Sequence, residues 1–200
     1  MNIPPLVEYK TALDSNLPLI AASLMEYWLA KNGVFVRAHR QGIQACFPIV
    51  NCRIAGLAII KPYFQMAYPR VPVDITKLML QLAINAGEHE ILFHLSFKSG
   101  KWDLEVPAQI ATSTSVTPVG SSLGSSYERA LIEVHSHPRL SSEFSTIDDG
   151  EETGFRLFAV LGNLLAQPEI NTRLGIYSYF YSIPASWVFE LPCFMIEKTG

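Results

Sequence analysis

Two histidines one residue apart, His135-Ser136-His137, close an apolar run and are followed at once by Pro138. In an extended strand alternate side chains share a face, so His135 and His137 point the same way, a few ångströms apart. That is a suitable start for a divalent cation. A catalytic zinc takes three protein ligands and keeps a fourth position open for water. Asp148 supplies the third ligand if the chain between Pro138 and Phe144 turns back. Ser145-Thr146-Ile147-Asp148 has the form of a helix start with Ser145 at or near the N-cap. A helix N-terminus there would fix the Asp148 rotamer and leave the Ser145 hydroxyl free to donate toward a substrate oxygen. Either half is common by itself. An HxH pair, seven residues, then Ser-x-x-Asp, all at the exit of one apolar strand, is a specific metal signature.

Other HxH metal sites fit less well. A metallo-β-lactamase pair is followed shortly by Asp-His, and here Pro138-Arg139-Leu140 follow. An amidohydrolase places the pair on the first strand of a barrel of roughly 250 residues, whereas only 63 residues follow His137. Glu133 alternates in phase with the two histidines. It is either a partner for a histidine N–H or a carboxylate paired or exposed elsewhere. Asp149, Glu151 and Glu152 are expected on the solvated face and dipole-favoured first turn of the short helix. His89 and His94 are expected to be satisfied surface or core histidines. Cys46, Cys52 and Cys193 are odd in number and match no zinc ribbon or CxxC pair, so they read as reduced thiols.

The elements that position these residues follow from periodicity and punctuation. Residues 1–18 read as an irregular lead-in. Residues 19–31, LIAASLMEYWLAK, carry helical spacing, and Asn32-Gly33 would end that helix. VFVRAHR and IQACFPIV read as a hairpin around Gln41-Gly42, and AGLAIIKPYF as a further strand. Tyr68-Pro69-Arg70-Val71-Pro72 disfavours helix and suggests a domain boundary after residue 72. Residues 74–86 are the clearest helix, with Asp74 as N-cap candidate and Gly87 just past the end. HEILFHLSF and WDLEVPAQ are strands. Residues 111–126, rich in Ser, Thr and Gly, are expected to form a long loop or an edge strand with a mobile insertion, a possible lid. ALIEVHSHP is a strand with its chemistry at the end, and FSTIDDGEE starts a short helix. FRLFAVLG and RLGIYSYFY are strands separated by QPEIN. This order predicts an α+β or mixed α/β layer around one sheet, covering residues 73–200, preceded by an α+β extension over 1–72.

Composition bounds the rest. The chain has 200 residues, 49% hydrophobic and 16% charged, with a net charge of -3, enough apolar content for a core. With no Lys/Arg block, charge offers no case for nucleic acid or an anionic membrane. No segment reaches the ~18 apolar residues of a membrane span. The start, MNIPPLVEYK, lacks the pattern of a secretory signal, and a cytoplasmic protein is expected.

His135-Ser136-His137-Pro138, with Ser145 and Asp148 at these intervals, resembles the JAMM signature of the MPN/JAB metalloisopeptidase superfamily. The resemblance covers about residues 73–200, and its specificity lies in the motif. More narrowly, LIEVHSHPRLSSEFSTIDDGEETGFRLFAVLG is similar to the PRTRC system protein A group. Those are JAB-domain proteins from a bacterial mobile-element cassette that also encodes a ThiF/E1-like protein, a possible partner. The resemblance implies a β-sheet flanked by helices, a Zn²⁺ ion on His135, His137 and Asp148, and cleavage of amide or isopeptide bonds at the C-terminus of a ubiquitin-like protein. It also implies a glutamate on the strand after the first helix of the domain, as general base. Glu90 opens the apolar run after the 74–86 helix and is assigned that role, with Glu88 as runner-up. Glu105 lies on the next strand and fits the order poorly. A carboxylate beginning a buried strand is partly desolvated, which raises its pKa toward the range of a proton shuttle. Ser145 would help to stabilise the oxyanion. The competing expectations are a catalytically silent MPN-type scaffold and a zinc hydrolase of a small-molecule conjugate.

Overall fold

The computed structural model describes residues 4–119 and 125–198. The protein is α+β and mostly strand. Its chain divides into two compact units, Met1–Ala67 and Tyr68–Gly200. No helix among the described residues is long and apolar enough to cross a membrane.

The first unit is one five-stranded sheet in sequence order: β1 (Val7–Thr11), β2 (Met25–Ala30), β3 (Gly33–Arg40), β4 (Ile43–Val50) and β5 (Tyr63–Met66). Only β1 and β2 run parallel. Trp28, Ala30, Phe35, Cys46, Ala12 and Ile60 form its apolar cluster. The helix expected over 19–31 is absent, and β2 occupies its second half. Glu26, Trp28 and Ala30 are buried in alternation, a period of two. Glu26 lies inside because its carboxylate accepts hydrogen bonds from Lys10 Nζ at 2.6 Å, Ala21 N at 2.9 Å and Trp28 Nε1 at 2.8 Å. Asn32-Gly33 therefore belongs to a hairpin rather than a helix end. A Cβ on Gly33 (φ 148°) would lie 2.2 Å from Val50 O, which restricts the position to glycine. The described part of the extension is thus strand and loop, with no helix. Two further expectations are corrected. The lead-in contains β1, and the strand expected over 55–64 narrows to β5, because Pro62 offers no N–H to a ladder.

The second unit begins ahead of the expected boundary. Tyr68 stacks on Phe97 with ring centroids 4.2 Å apart, and Trp102 Nε1 donates to Pro69 O at 2.8 Å, so the proline-rich stretch is built into this unit. Helix α1 (Val73–Asn85) follows, capped by Pro72, with Asp74 in its first turn rather than at the N-cap. Its buried face carries Thr76, Met79, Leu80 and Ala83.

A seven-stranded sheet forms the body. Its strands are β6 (Leu92–Lys98), β7 (Lys101–Glu105), β10 (Ile132–Ser136), β11 (Phe155–Gly162), β12 (Glu169–Ile176), β13 (Tyr179–Ser182) and β14 (Ile196–Lys198). The spatial order is β13-β12-β11-β10-β6-β7, and β14 pairs with the start of β12. A separate hairpin, β8 (Gln109–Ala111) with β9 (Val116–Pro118), and the short helix α2 (Ser126–Arg129) connect β7 to β10. Helix α3 (Thr146–Glu151) connects β10 to β11, which run parallel and so need a crossover. Every residue of β11 and β12 is buried. The expected linker QPEIN lies partly inside β12, and RLGIYSYFY is two strands, not one. Tyr177 and Ser178 turn between them with φ of 46° and 73°, the positive pair of a type I′ hairpin.

Candidate metal centre

β10 is central, hydrogen-bonded to β11 on one side and β6 on the other. His137 lies just past its end, where its N donates to Leu161 O at 2.8 Å. Glu133, His135 and His137 therefore keep the alternation and share a face. The chain then folds back over the end of β11. Asn163 N donates to Leu140 O at 2.8 Å. Gly162 passes so close that an added Cβ would lie 2.3 Å from Ser142 N. This return brings Ser145 to the N-cap of α3. Asp148 N donates to Ser145 Oγ at 3.2 Å, and Ser145 N donates to Asp148 Oδ2 at 2.6 Å, a reciprocal capping box.

The Asp148 carboxylate is thereby held against the imidazoles. His135 Nε2 is 3.1 Å from His137 Nε2 and 3.2 Å from Asp148 Oδ1, and His137 Nε2 is 3.8 Å from Asp148 Oδ2. Tetrahedral zinc with bonds of roughly 2.0–2.1 Å separates its ligand atoms by about 3.3 Å. The observed spacings bracket that value, and two imidazole nitrogens with one carboxylate are a donor set zinc accepts. These three residues form a buried or half-buried group that could hold a metal ion. His137 Nδ1 lies 3.0 Å from Ser141 O. A carbonyl can only accept, so Nδ1 carries the hydrogen and Nε2 presents its lone pair to the cluster. Burial, and after it the neighbouring His135, lowers the His137 pKa and so favours the neutral ring a ligand needs. Burial alone would raise the Asp148 pKa, but His135 and the two Ser145 contacts win and hold it well below the usual carboxylate range.

Glu90 stands just before β6, its side chain buried, with Oε1 3.8 Å from His137 Nε2. Desolvation, the largest influence, pushes its pKa up to about 7, although His135 pulls the other way. Its backbone is pinned on both sides. Glu90 N donates to Thr112 O at 2.8 Å, and Ile91 N donates to Ser136 Oγ at 3.1 Å. Glu88 and Glu105 are exposed and pair with Arg139 and Arg129, away from the cluster. Glu133 Oε2 accepts from Arg156 Nη1 at 3.2 Å, the paired-carboxylate alternative. His94 is buried, with Nδ1 2.8 Å from Ser126 Oγ, and His89 is exposed, so both lie outside the ligand group.

One expectation is overturned. Asp149 and Glu151 are exposed, but Glu152 is buried and accepts from Arg173 Nε at 2.7 Å. It lines a small cavity together with Glu90, Leu92, Val116, His135 and Asp148. Ser136 and the Glu152–Arg173 pair carry no signal of their own in the motif. Ser136 is the residue the alternation turns away from the metal face, and Arg173 lies two strands off. The expected lid over 111–126 falls partly in β9, where Val116 reaches the cavity and Thr117 Oγ1 donates to Glu151 Oε1 at 3.4 Å. Residues 120–124 of that stretch lie outside the described residues. In comparisons with known proteins, the chain matches no protein-family model and no curated sequence.

Proposed function

We propose that this chain is a zinc-dependent metallohydrolase of the JAMM type, cleaving an amide or isopeptide bond at the C-terminus of a ubiquitin-like protein. The observation that carries the reading is the convergence of His135, His137 and Asp148 beside one buried carboxylate, Glu90. Zinc, when bound by those three residues, supplies Lewis acidity and brings the pKa of a water toward ~7. Glu90 then takes the proton and returns it to the departing amine, the two halves of one shuttle. Ser145 Oγ accepts the Asp148 N–H and keeps its own hydrogen for the substrate carbonyl oxygen. Ser141 O holds the His137 ring, so the lone pair needed for the metal does not rotate away. A ThiF/E1-like protein is the partner proposed alongside the substrate.

The test is incubation of the purified chain with ubiquitin-like proteins fused through their C-termini to a reporter, with and without a chelator. Cleavage at the junction, abolished by the chelator and restored by zinc, is the expected result. His135→Ala is expected to lose both bound zinc and cleavage. Zinc content well below one per chain at saturating zinc would overturn the metal reading. Stoichiometric zinc without cleavage of any fusion or amino-acid conjugate would favour a silent scaffold instead.

A further inference from the structure

We infer that Arg173 is a positioning residue for the metal-binding carboxylate, clamping α3 to the sheet so that Asp148 meets the histidines. The inference rests on the metal reading of His135, His137 and Asp148. α3 has six residues and none of them is buried, so packing does not fix it. A helix of that length has no stability of its own in water. Its capping box sets the rotamer of Asp148 relative to Ser145, but says nothing of where the helix lies on the sheet.

Arg173 supplies that placement. It sits on β12 opposite Phe158 of β11, which is itself opposite Glu133 of β10. Directly paired residues share a face, so Arg173 rises from the same side of the sheet as His135. Its Nε donates to Glu152 Oε2 at 2.7 Å, with Nη2 2.6 Å from the same oxygen, and its Nη1 donates to Asp149 Oδ1 at 2.6 Å. The guanidinium carbon lies 3.9 Å from the ring centroid of Phe144 and 3.7 Å from that of Phe180. Phe144 precedes Ser145, whereas Asp149 and Glu152 follow Asp148. One side chain thus holds the chain on both sides of the ligand. The head group is buried, and Glu152 is only 5% exposed. A buried ion pair is a poor source of stability compared with apolar packing, and its best-attested use is to fix one arrangement over others. Only Arg offers a planar fork that bonds two carboxylates while stacking on aromatic rings.

The test is zinc affinity of the full chain, measured by competition with a chromophoric chelator, in wild type, Arg173→Met, Arg173→Lys and Asp149→Asn. Arg173→Met is expected to bind zinc at least about tenfold more weakly, as losses of ligand-orienting contacts do. Arg173→Lys is expected not to restore binding, because the charge remains but the fork does not. Asp149→Asn removes one of the two carboxylates and is expected to give a smaller loss. Its side chain is 52% exposed, so it carries the test if Arg173→Met does not fold. Amide hydrogen exchange over 146–151 in the metal-free protein is expected to quicken in the Arg173 variants. A folded Arg173→Met with wild-type zinc affinity and unchanged exchange would overturn the clamp, even if its melting temperature fell. Wild type that takes up no zinc overturns the metal reading instead, and hydrogen exchange then decides the clamp alone.

Discussion

Glu88 and Glu90 are two residues apart and chemically alike, and burial separates them. The Glu88 side chain is 69% exposed and paired with Arg139, whereas that of Glu90 is 4% exposed beside His137. A shuttle needs a pKa near the working pH, and burial pushes that of Glu90 up to about 7. Glu90→Gln is therefore expected to cut turnover by roughly 10²–10⁴-fold while bound zinc stays stoichiometric. Glu88→Gln should leave both unchanged. Steady-state kinetics on a cleavable fusion, with metal analysis of the same preparations, checks the pair, and an active Glu90→Gln would remove the base assignment. Strand parity could not choose between them from sequence, since residues two apart fall on the same face of a strand. What was legible at this scale was local: both histidines, Ser145 and Asp148 come together as their spacing implies. Glu152 was not legible, because its burial depends on Arg173, 21 residues away and across two strands.

The element that makes the centre is the return from Pro138 to Phe144, and Gly162 makes that return possible. A Cβ there would meet Ser142 N at 2.3 Å and Ser141 C at 2.4 Å, backbone atoms that no rotamer change can move aside. Ser141 O is also what holds His137 Nδ1. Gly162→Ala is expected to weaken zinc binding by about 10–100-fold through that carbonyl and to destabilise the fold by about 1–3 kcal/mol. Gly150→Ala, in α3 with nothing within 4 Å of the new Cβ, should leave zinc affinity intact and is the control. Chelator competition and urea unfolding read both effects. Equal zinc affinity in Gly162→Ala and wild type would remove the loop's part in the site. The sequence marked β10, β11 and the start of α3 well, because a buried strand and a Ser-x-x-Asp cap each announce themselves locally. It misled where the signal was ambiguous. LIAASLMEYWLAK carries helical spacing, yet Tyr27 and Trp28 favour a strand and the buried contacts of Glu26 decide the matter. Tyr177-Ser178 turns a hairpin without the Asn-Gly that usually marks one.

For the molecule as a whole, the buried titratable groups on the metal face tie folding to pH. His94 is 2% exposed, and burial, reinforced by the charge of Arg156, lowers its pKa from 6.5 to about 4. Glu133, 3.8 Å from its Nε2, does not offset this, being itself engaged by Arg156. The native ring is therefore neutral where the unfolded ring is protonated. The unfolded state binds more protons between pH 4 and 6.5, so stability falls as pH drops through that window. By pH 4 the loss approaches ~3 kcal/mol. Glu90 acts with the opposite sign. Burial raises it to about 7, so in the native state it binds a proton that the unfolded chain has released, and acidification there favours folding. Wild type alone would show only the net of these. The comparison that isolates His94 is with His94→Asn, whose amide can still meet Ser126 Oγ and cannot titrate. Urea unfolding from pH 4 to 8, with chelator present throughout, is expected to show His94→Asn less stable than wild type at pH 8. The two curves should converge as the pH falls from 6.5 to 4, with a slope difference of up to ~1.4 kcal/mol per pH unit. Parallel curves across that window would mean that His94 is protonated in the native state, and that the face carrying the candidate metal ligands is wetter than its burial implies.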